Sequence, residues 1–152
     1  MIADETMVLS VPAGLSYALI VKYGVHACPD TYKYRPVKYI TFRQPGGVMS
    51  AVHFITLVCI VNSSSFTLDH IVEYSERKRI ATYWTEFKSL SPLVKDENFR
   101  FYLLSLFEQI DLPHLPKPRV NSAGHCYFDL SELVSGRKNV KVASKKNFLR
   151  TR

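Results

Sequence analysis

The sequence predicts an α+β fold, with a curved mixed or mainly antiparallel sheet or a small β-barrel and short flanking helices. Several segments are rich in β-branched and aromatic residues, turn residues separate them, and only short stretches carry helix signals. The length of 152 residues and the hydrophobic content of 47% fit one soluble domain. We place this domain at 1–136 and a basic C-terminal tail at 137–152.

The first elements are predicted to be a strand and a helix. Residues 7–11 form a short apolar segment that a Pro-Ala-Gly turn closes. A helix over 15–23 follows, with Lys22 in its last turn and Gly24 as its C-terminal cap. We expect 25–36 to be irregular, because its Pro-Asp pair favours a turn.

A β-hairpin is the clearest local unit. Residues 37–43 are β-branched and aromatic, 44–47 contain a Pro-Gly-Gly turn, and 48–61 form a long second strand. Apolar side chains alternate on both faces of that second strand, which predicts a central strand covered on both sides.

The C-terminal half is predicted to hold two further strands and one short helix. Residues 79–87 and 99–107 have strand composition, and the proline-rich segment 112–118 should be extended and stiff. Asp129 and Glu132 match a capping box, which predicts a helix that ends before Gly136.

The positive charge is concentrated at the C terminus. The chain has 20 Lys and Arg against 13 Asp and Glu, yet residues 136–152 contain seven basic residues and no acidic one. The preceding 135 residues are therefore formally neutral. Such a tail suits a polyanionic partner, although a solvated tail has the same composition.

A second basic stretch, at 32–43, interleaves with aromatic residues and contains no acidic residue. Bases stack on aromatic rings and phosphates pair with Lys or Arg, so this mixture predicts an RNA- or DNA-binding surface. Strand composition also explains the aromatic residues. The predicted nucleic-acid-binding residues are Lys33, Tyr34, Arg35, Lys38, Tyr39, Phe42, Arg43, Arg137, Lys138, Lys141, Lys145 and Lys146.

The order of the segments resembles PUA-like domains, the group that includes ASCH and EVE modules. The resemblance rests on residues 38–42, the turn after them, the long strand through 52–58, and the late strand 99–107 that runs into an Ile-Asp-Leu-Pro sequence. It implies a curved or barrel-like sheet that binds RNA or modified DNA bases, often in an aromatic-lined pocket. The candidate aromatic residues for such a pocket are Tyr39, Phe42, Tyr83 and Trp84.

Two other functions stay open. Glu86-Phe-Lys88, with Asp69 and Asp30 upstream, loosely resembles the PD-(D/E)XK nuclease pattern, in which acids hold a divalent cation and a lysine assists the attacking water. Alternatively, the chain is a small protein-interaction module or inhibitor whose tail binds an acidic partner.

The sequence matches no established catalytic motif. It contains no Gly-x-Ser-x-Gly, Walker or dinucleotide-binding loop, and its five His and three Cys lack zinc-site spacing. We therefore predict no catalytic residue, metal or cofactor. The odd cysteine count, the lack of a secretory signal and the lack of a bilayer-length apolar run predict a cytoplasmic protein that does not bind membranes.

Overall fold

The computed structural model describes residues 4–31, 33–91, 95–120 and 124–143. The strands of these residues are β1 (Asp4–Pro12), β2 (Val25–Pro29), β3 (Val37–Arg43), β4 (Ala51–Asn62), β5 (Asn98–Asp111), β6 (Lys117–Pro118), β7 (Cys126–Asp129) and β8 (Asn139–Val140). The α-helices are α1 (Tyr17–Tyr23), α2 (Tyr74–Leu90) and α3 (Leu130–Leu133).

Six of the strands form one curved mixed sheet in the order β2-β5-β4-β3-β1-β7, and β6 pairs separately with β8. β1 runs parallel to β3 and antiparallel to β7, whereas the β2–β5 and β3–β4 pairs are antiparallel. A register shift between Asp4 and Val8 interrupts the β1–β3 pairing, as a bulge does when it bends a strand. The predicted α+β fold with a curved mixed sheet and flanking helices is confirmed.

The chain divides into two compact units. Unit 1 comprises Met1–Gly14, Arg35–Phe54 and Phe107–Arg152, and unit 2 comprises Leu15–Tyr34 and Ile55–Leu106. β4 and β5 each contribute residues to both units. No helix among the described residues is long and apolar enough to cross a bilayer.

Unit 1 has a mainly aliphatic core. Strands β1 and β4 supply residues that are fully buried, and α3 and β8 contribute one buried side chain each. The core residues are Val8, Met49, Val52, Leu112, Phe128, Leu133 and Val140. Because these residues come from distant parts of the chain, their burial fixes α3 and β8 against the sheet.

The first residues of the predicted basic tail are part of this packing. Val140 of β8 is fully buried, and the Ala143 N–H donates to the carbonyl oxygen of Tyr127 at 2.8 Å. Residues 137–143 are therefore anchored to unit 1 rather than freely solvated. Residues 144–152 lie outside the described part of the chain.

Unit 2 has an aromatic core between its strands and α2. Ile80, Tyr83, Trp84 and Phe87 follow the 3.6-residue period and share one face of the helix. That face packs on Phe99 and Phe101 of β5. The predicted strand at 79–87 is wrong, because the period of the apolar positions outweighs the β-branched and aromatic composition.

Three other predictions differ in detail. Residues 25–29, expected to be irregular, form β2, since Val25 and Ala27 are buried in the unit 2 core. β4 is central, but Val58 and Ile60 are each 40% exposed, so its second half is covered on one face only. Asp129 makes no side-chain cap bond to α3, so the predicted capping box is absent. Gly24 does cap α1, with a left-handed φ of 65°.

Candidate nucleic-acid interface

Strands β6 and β8 bring two separate basic segments together on unit 1. The Lys117 N–H donates to the carbonyl oxygen of Lys138 at 2.8 Å, and the Arg119 N–H donates to that of Val140 at 2.9 Å. The exposed basic side chains of these segments are Lys117, Arg119, Arg137, Lys138 and Lys141. We call these five residues the basic patch.

The turn before β6 holds the patch in place. The proline-rich segment 112–118, predicted to be extended, turns instead, because the Leu115 N–H donates to the carbonyl oxygen of Leu112 at 3.0 Å. Leu115 has a positive φ of 48°, and His114 Nε2 lies 2.8 Å from the carbonyl oxygen of Leu133. The Met49 N–H also donates to the carbonyl oxygen of Pro116 at 2.9 Å. These bonds fix β6 to the rest of unit 1.

Glu132 is the carboxylate that contacts the basic patch in the described residues. Its Oε1 accepts a hydrogen bond from Arg137 Nη1 at 2.8 Å, and its Oε2 accepts one from the Lys141 backbone N–H at 3.0 Å. A pair of this kind, with a well-exposed arginine, contributes little to stability. The five cations of the patch therefore outnumber the carboxylate that contacts them, which favours the binding of anions.

Two residues of the predicted surface lie inside unit 1. Phe42 is 2% exposed and Arg43 is 5% exposed. Arg43 donates to the Cys126 thiol at 2.8 Å and to the carbonyl oxygen of Gly124. These two residues are therefore removed from the candidate interface, because β3 lies between β4 and β1 and its residues 40–43 are all buried.

Two neighbouring residues of β3 have contacts within unit 1. Tyr39 is half-buried against the core, with its ring edge-on to Phe54 at 5.2 Å between centroids. Lys38 is exposed and pairs with Glu5 at 2.7 Å, which raises the pKa of its ammonium group. The partners of these two side chains, Glu5 and Phe54, are not residues of the basic patch.

The segment before β3 is held by internal contacts. Tyr34 lies edge-on to Tyr102 at 6.5 Å, and the Arg100 guanidinium carbon lies 5.3 Å from the Tyr34 ring centre. Burial raises the pKa of the Cys28 thiol, against a smaller lowering by Tyr34. Tyr34 is therefore part of an internal cluster rather than an open stacking platform.

The remaining predicted residues divide into three groups. Lys33 is exposed, and the Arg35 backbone N–H donates to the Tyr127 hydroxyl at 2.9 Å. Arg137, Lys138 and Lys141 belong to the basic patch. Lys145 and Lys146 lie outside the described residues.

The predicted aromatic pocket is not formed by its candidate residues. Tyr83 is fully buried and Trp84 is 3% exposed, so both belong to the unit 2 core, as Phe42 belongs to the interior of unit 1. Burial strongly raises the pKa of the Tyr83 hydroxyl, which keeps it protonated. These three rings are not available to stack on a base.

Two of the acidic residues of the nuclease alternative have partners other than a shared metal ion. Glu86 and Lys88 lie on α2, where residues two apart are separated by about 200° around the axis. Glu86 pairs with Lys22 at 3.5 Å, and Asp30 pairs with Arg100 at 3.0 Å. Across residues 4–31, 33–91, 95–120 and 124–143, no group of three His, Cys, Asp or Glu could hold a metal ion.

Asp69, the third acid of that alternative, lines an open groove of about 480 Å³ in unit 2. Glu86 is not among the lining residues, and the charged side chains beside Asp69 are Arg77 and Lys78. Arg77 is already engaged, because its guanidinium donates to the carbonyl oxygens of Ile71 and Val72. A single carboxylate in such a groove does not form a metal centre.

Sequence reasoning missed Lys117 and Arg119. Their neighbours along the chain are prolines, which indicated a stiff linker. The parallel pairing with β8, about 20 residues downstream, leaves no local signal. No protein-family model, curated protein or solved structure matches the chain.

Proposed function

We propose that this chain binds nucleic acid, RNA or DNA, without catalysis, through the basic patch and the basic residues that follow it. The observation that carries the proposal is the β6–β8 pair, which places Lys117 and Arg119 beside the start of the C-terminal basic segment. Lys145, Lys146, Arg150 and Arg152 continue that segment in the sequence. The arrangement concentrates positive charge on one part of unit 1.

The chemistry of the patch suits phosphates. Lys117 lies in β6 and Arg119 directly follows it, and both side chains are exposed. In an extended backbone, residues two apart are separated by about 6.6 Å and lie on the same face. Their backbones are fixed by hydrogen bonds to β8, so phosphate binding orders only the side chains. Each phosphate contact releases counterions, which makes the affinity fall with salt.

Salt-dependent binding to oligonucleotides tests the proposal. We expect the slope of log K against log salt to have a magnitude of roughly 3 to 6 for single- or double-stranded substrates. Lys117→Ala with Arg119→Ala should reduce that magnitude by roughly 1.5 to 2. The matched control, Lys78→Ala with Lys88→Ala, removes the same charge from exposed positions on α2 and should leave the slope nearly unchanged.

Two results would overturn the proposal. One is the absence of binding to any RNA or DNA at low salt. The other is an equal loss of affinity in both double variants, which would show a response to net charge alone. If polyglutamate binds where oligonucleotides do not, an acidic protein partner replaces nucleic acid. A PUA-like fold and a cytoplasmic location stay predictions beside this proposal.

A further inference from the structure

Glu132 and Arg137 differ greatly in exposure. The Glu132 side chain is 19% exposed, whereas that of Arg137 is 68% exposed, and the two are joined at 2.8 Å. Glu132 lies in α3 next to Leu133, which is fully buried in the unit 1 core. The carboxylate is therefore held in place, and the arginine is the partner that can move.

The other carboxylate oxygen of Glu132, Oε2, contacts the backbone instead of a side chain. It accepts the backbone N–H of Lys141, directly after β8. A backbone contact of this kind fixes the path of the chain and does not occupy the Lys141 ammonium group. The two oxygens can therefore be separated by mutation, because a glutamine keeps an acceptor for the Lys141 N–H and loses the charge.

We infer that Glu132 is an internal anion that occupies Arg137 until a nucleic-acid phosphate takes its place. The inference rests on the proposed function and adds a regulatory residue to the same site. The carboxylate competes for one of the five patch cations and repels the incoming phosphate. An exposed pair contributes little, so the competition sets affinity without blocking the site.

A double-mutant cycle tests this exchange on the full-length chain. The probe is an oligonucleotide duplex titrated at low salt against the wild type, Glu132→Gln, Arg137→Ala and the double variant. We expect Glu132→Gln to tighten binding roughly threefold to tenfold. In the Arg137→Ala background the same substitution should tighten binding less than about twofold, because the side chain that it releases is gone.

The control is Glu73→Gln, which removes one negative charge from an exposed position in unit 2. Equal tightening by Glu73→Gln and Glu132→Gln would overturn the inference, and so would a gain that persists without Arg137. If the wild type binds and the cycle shows no coupling, only the inference fails. If the wild type does not bind, the proposed function fails with it. Thermal unfolding of each variant checks that the fold is retained.

Discussion

In unit 2, Arg77 and Arg79 donate to backbone carbonyl oxygens of their own chain, whereas in unit 1 the basic residues in and beside β6 and β8 are exposed. Arg79 donates to three carbonyl oxygens, those of Tyr23, Gly24 and Leu104, at 2.8–3.0 Å. The basic patch has one carboxylate for five cations among the described residues. A basic residue therefore points to a partner only when its own chain does not already supply the acceptors.

The outer strands of the sheet, β2 in unit 2 and β7 in unit 1, have their outward backbone groups bonded in different ways. At β2, in unit 2, the Ala27 N–H donates to the Tyr83 hydroxyl at 3.2 Å, so one side chain covers the edge. At β7, in unit 1, the Tyr127 carbonyl accepts the Ala143 N–H, so a stretch of chain covers it. Both arrangements occupy backbone groups that otherwise invite pairing with another strand.

The largest effect is expected when the Arg79 guanidinium of unit 2 is removed. Arg79→Ala removes three charged hydrogen bonds to backbone carbonyl oxygens and should lower the free energy of unfolding by about 3 kcal/mol, although the Gly24 carbonyl keeps its bond from the Leu104 N–H. Binding to nucleic acid should not change in the fraction that stays folded. Lys117→Ala should do the opposite, with weaker binding and stability within about 0.5 kcal/mol of the wild type. Urea unfolding and oligonucleotide titration on both variants measure the contrast.

The geometry at Gly24 explains why this arginine is difficult to replace. A Cβ at Gly24 would lie 2.6 Å from the Arg79 guanidinium, and the residue's φ is +65°. The guanidinium therefore needs a glycine at this position to reach the carbonyl. Lys78→Ala, on the same helix and exposed, is the matched control. If Lys78→Ala and Arg79→Ala lower the free energy of unfolding equally, the backbone contacts of Arg79 contribute nothing to stability beyond its charge.

The next effect concerns the pH dependence of stability. His26, in unit 2, is 5% exposed and its ring stacks on Tyr102 at 6.2 Å between centroids. Burial lowers its pKa from 6.5 to about 4. Between these two values the unfolded chain binds a proton that the folded chain does not, so stability falls as the pH falls through this window. The loss should reach about 3 kcal/mol near pH 4.

A variant isolates this histidine from the others. Burial also lowers the pKa of His53 and of His125, both in unit 1. Their protonation therefore reduces stability further as the pH falls. His26→Phe keeps a ring beside Tyr102 and removes the proton site. Urea unfolding across the window should show a much flatter pH dependence for this variant. An unchanged dependence would assign the loss to the histidines of unit 1.

Local signals carried most of the correct sequence predictions. β3 was predicted at its observed bounds because its β-branched residues are followed by a Pro-Gly-Gly turn, and Gly24 was recognised from its place after an apolar helical stretch. The burial of Phe42 and Arg43 depends on the strand order β4-β3-β1, which includes a parallel pair joined through a long connection. Such an order is not encoded in a local pattern.

The candidate site was only half predictable for the same reason. The C-terminal charge is visible in the sequence, whereas the contribution of Lys117 and Arg119 depends on a two-residue strand pair. Lys117 and Arg119 were overlooked, whereas two aromatic residues were wrongly included as pocket candidates. Tyr83 and Trp84 were pocket candidates on the resemblance to PUA-like domains, and they are core residues on α2.

The smallest expected effect tests how the unit 2 edge is covered. Tyr83→Phe removes the hydroxyl that accepts the Ala27 N–H and keeps the ring that packs edge-on to Phe101. A buried N–H is left without an acceptor, so the free energy of unfolding should fall by about 1 to 2 kcal/mol. Amide exchange should accelerate at Ala27 more than at its neighbours. Tyr74→Phe, at a position 68% exposed, is the matched control and should be near neutral. If exchange at Ala27 is unchanged in Tyr83→Phe, the edge of β2 is protected by the packing of α2 and not by this hydroxyl.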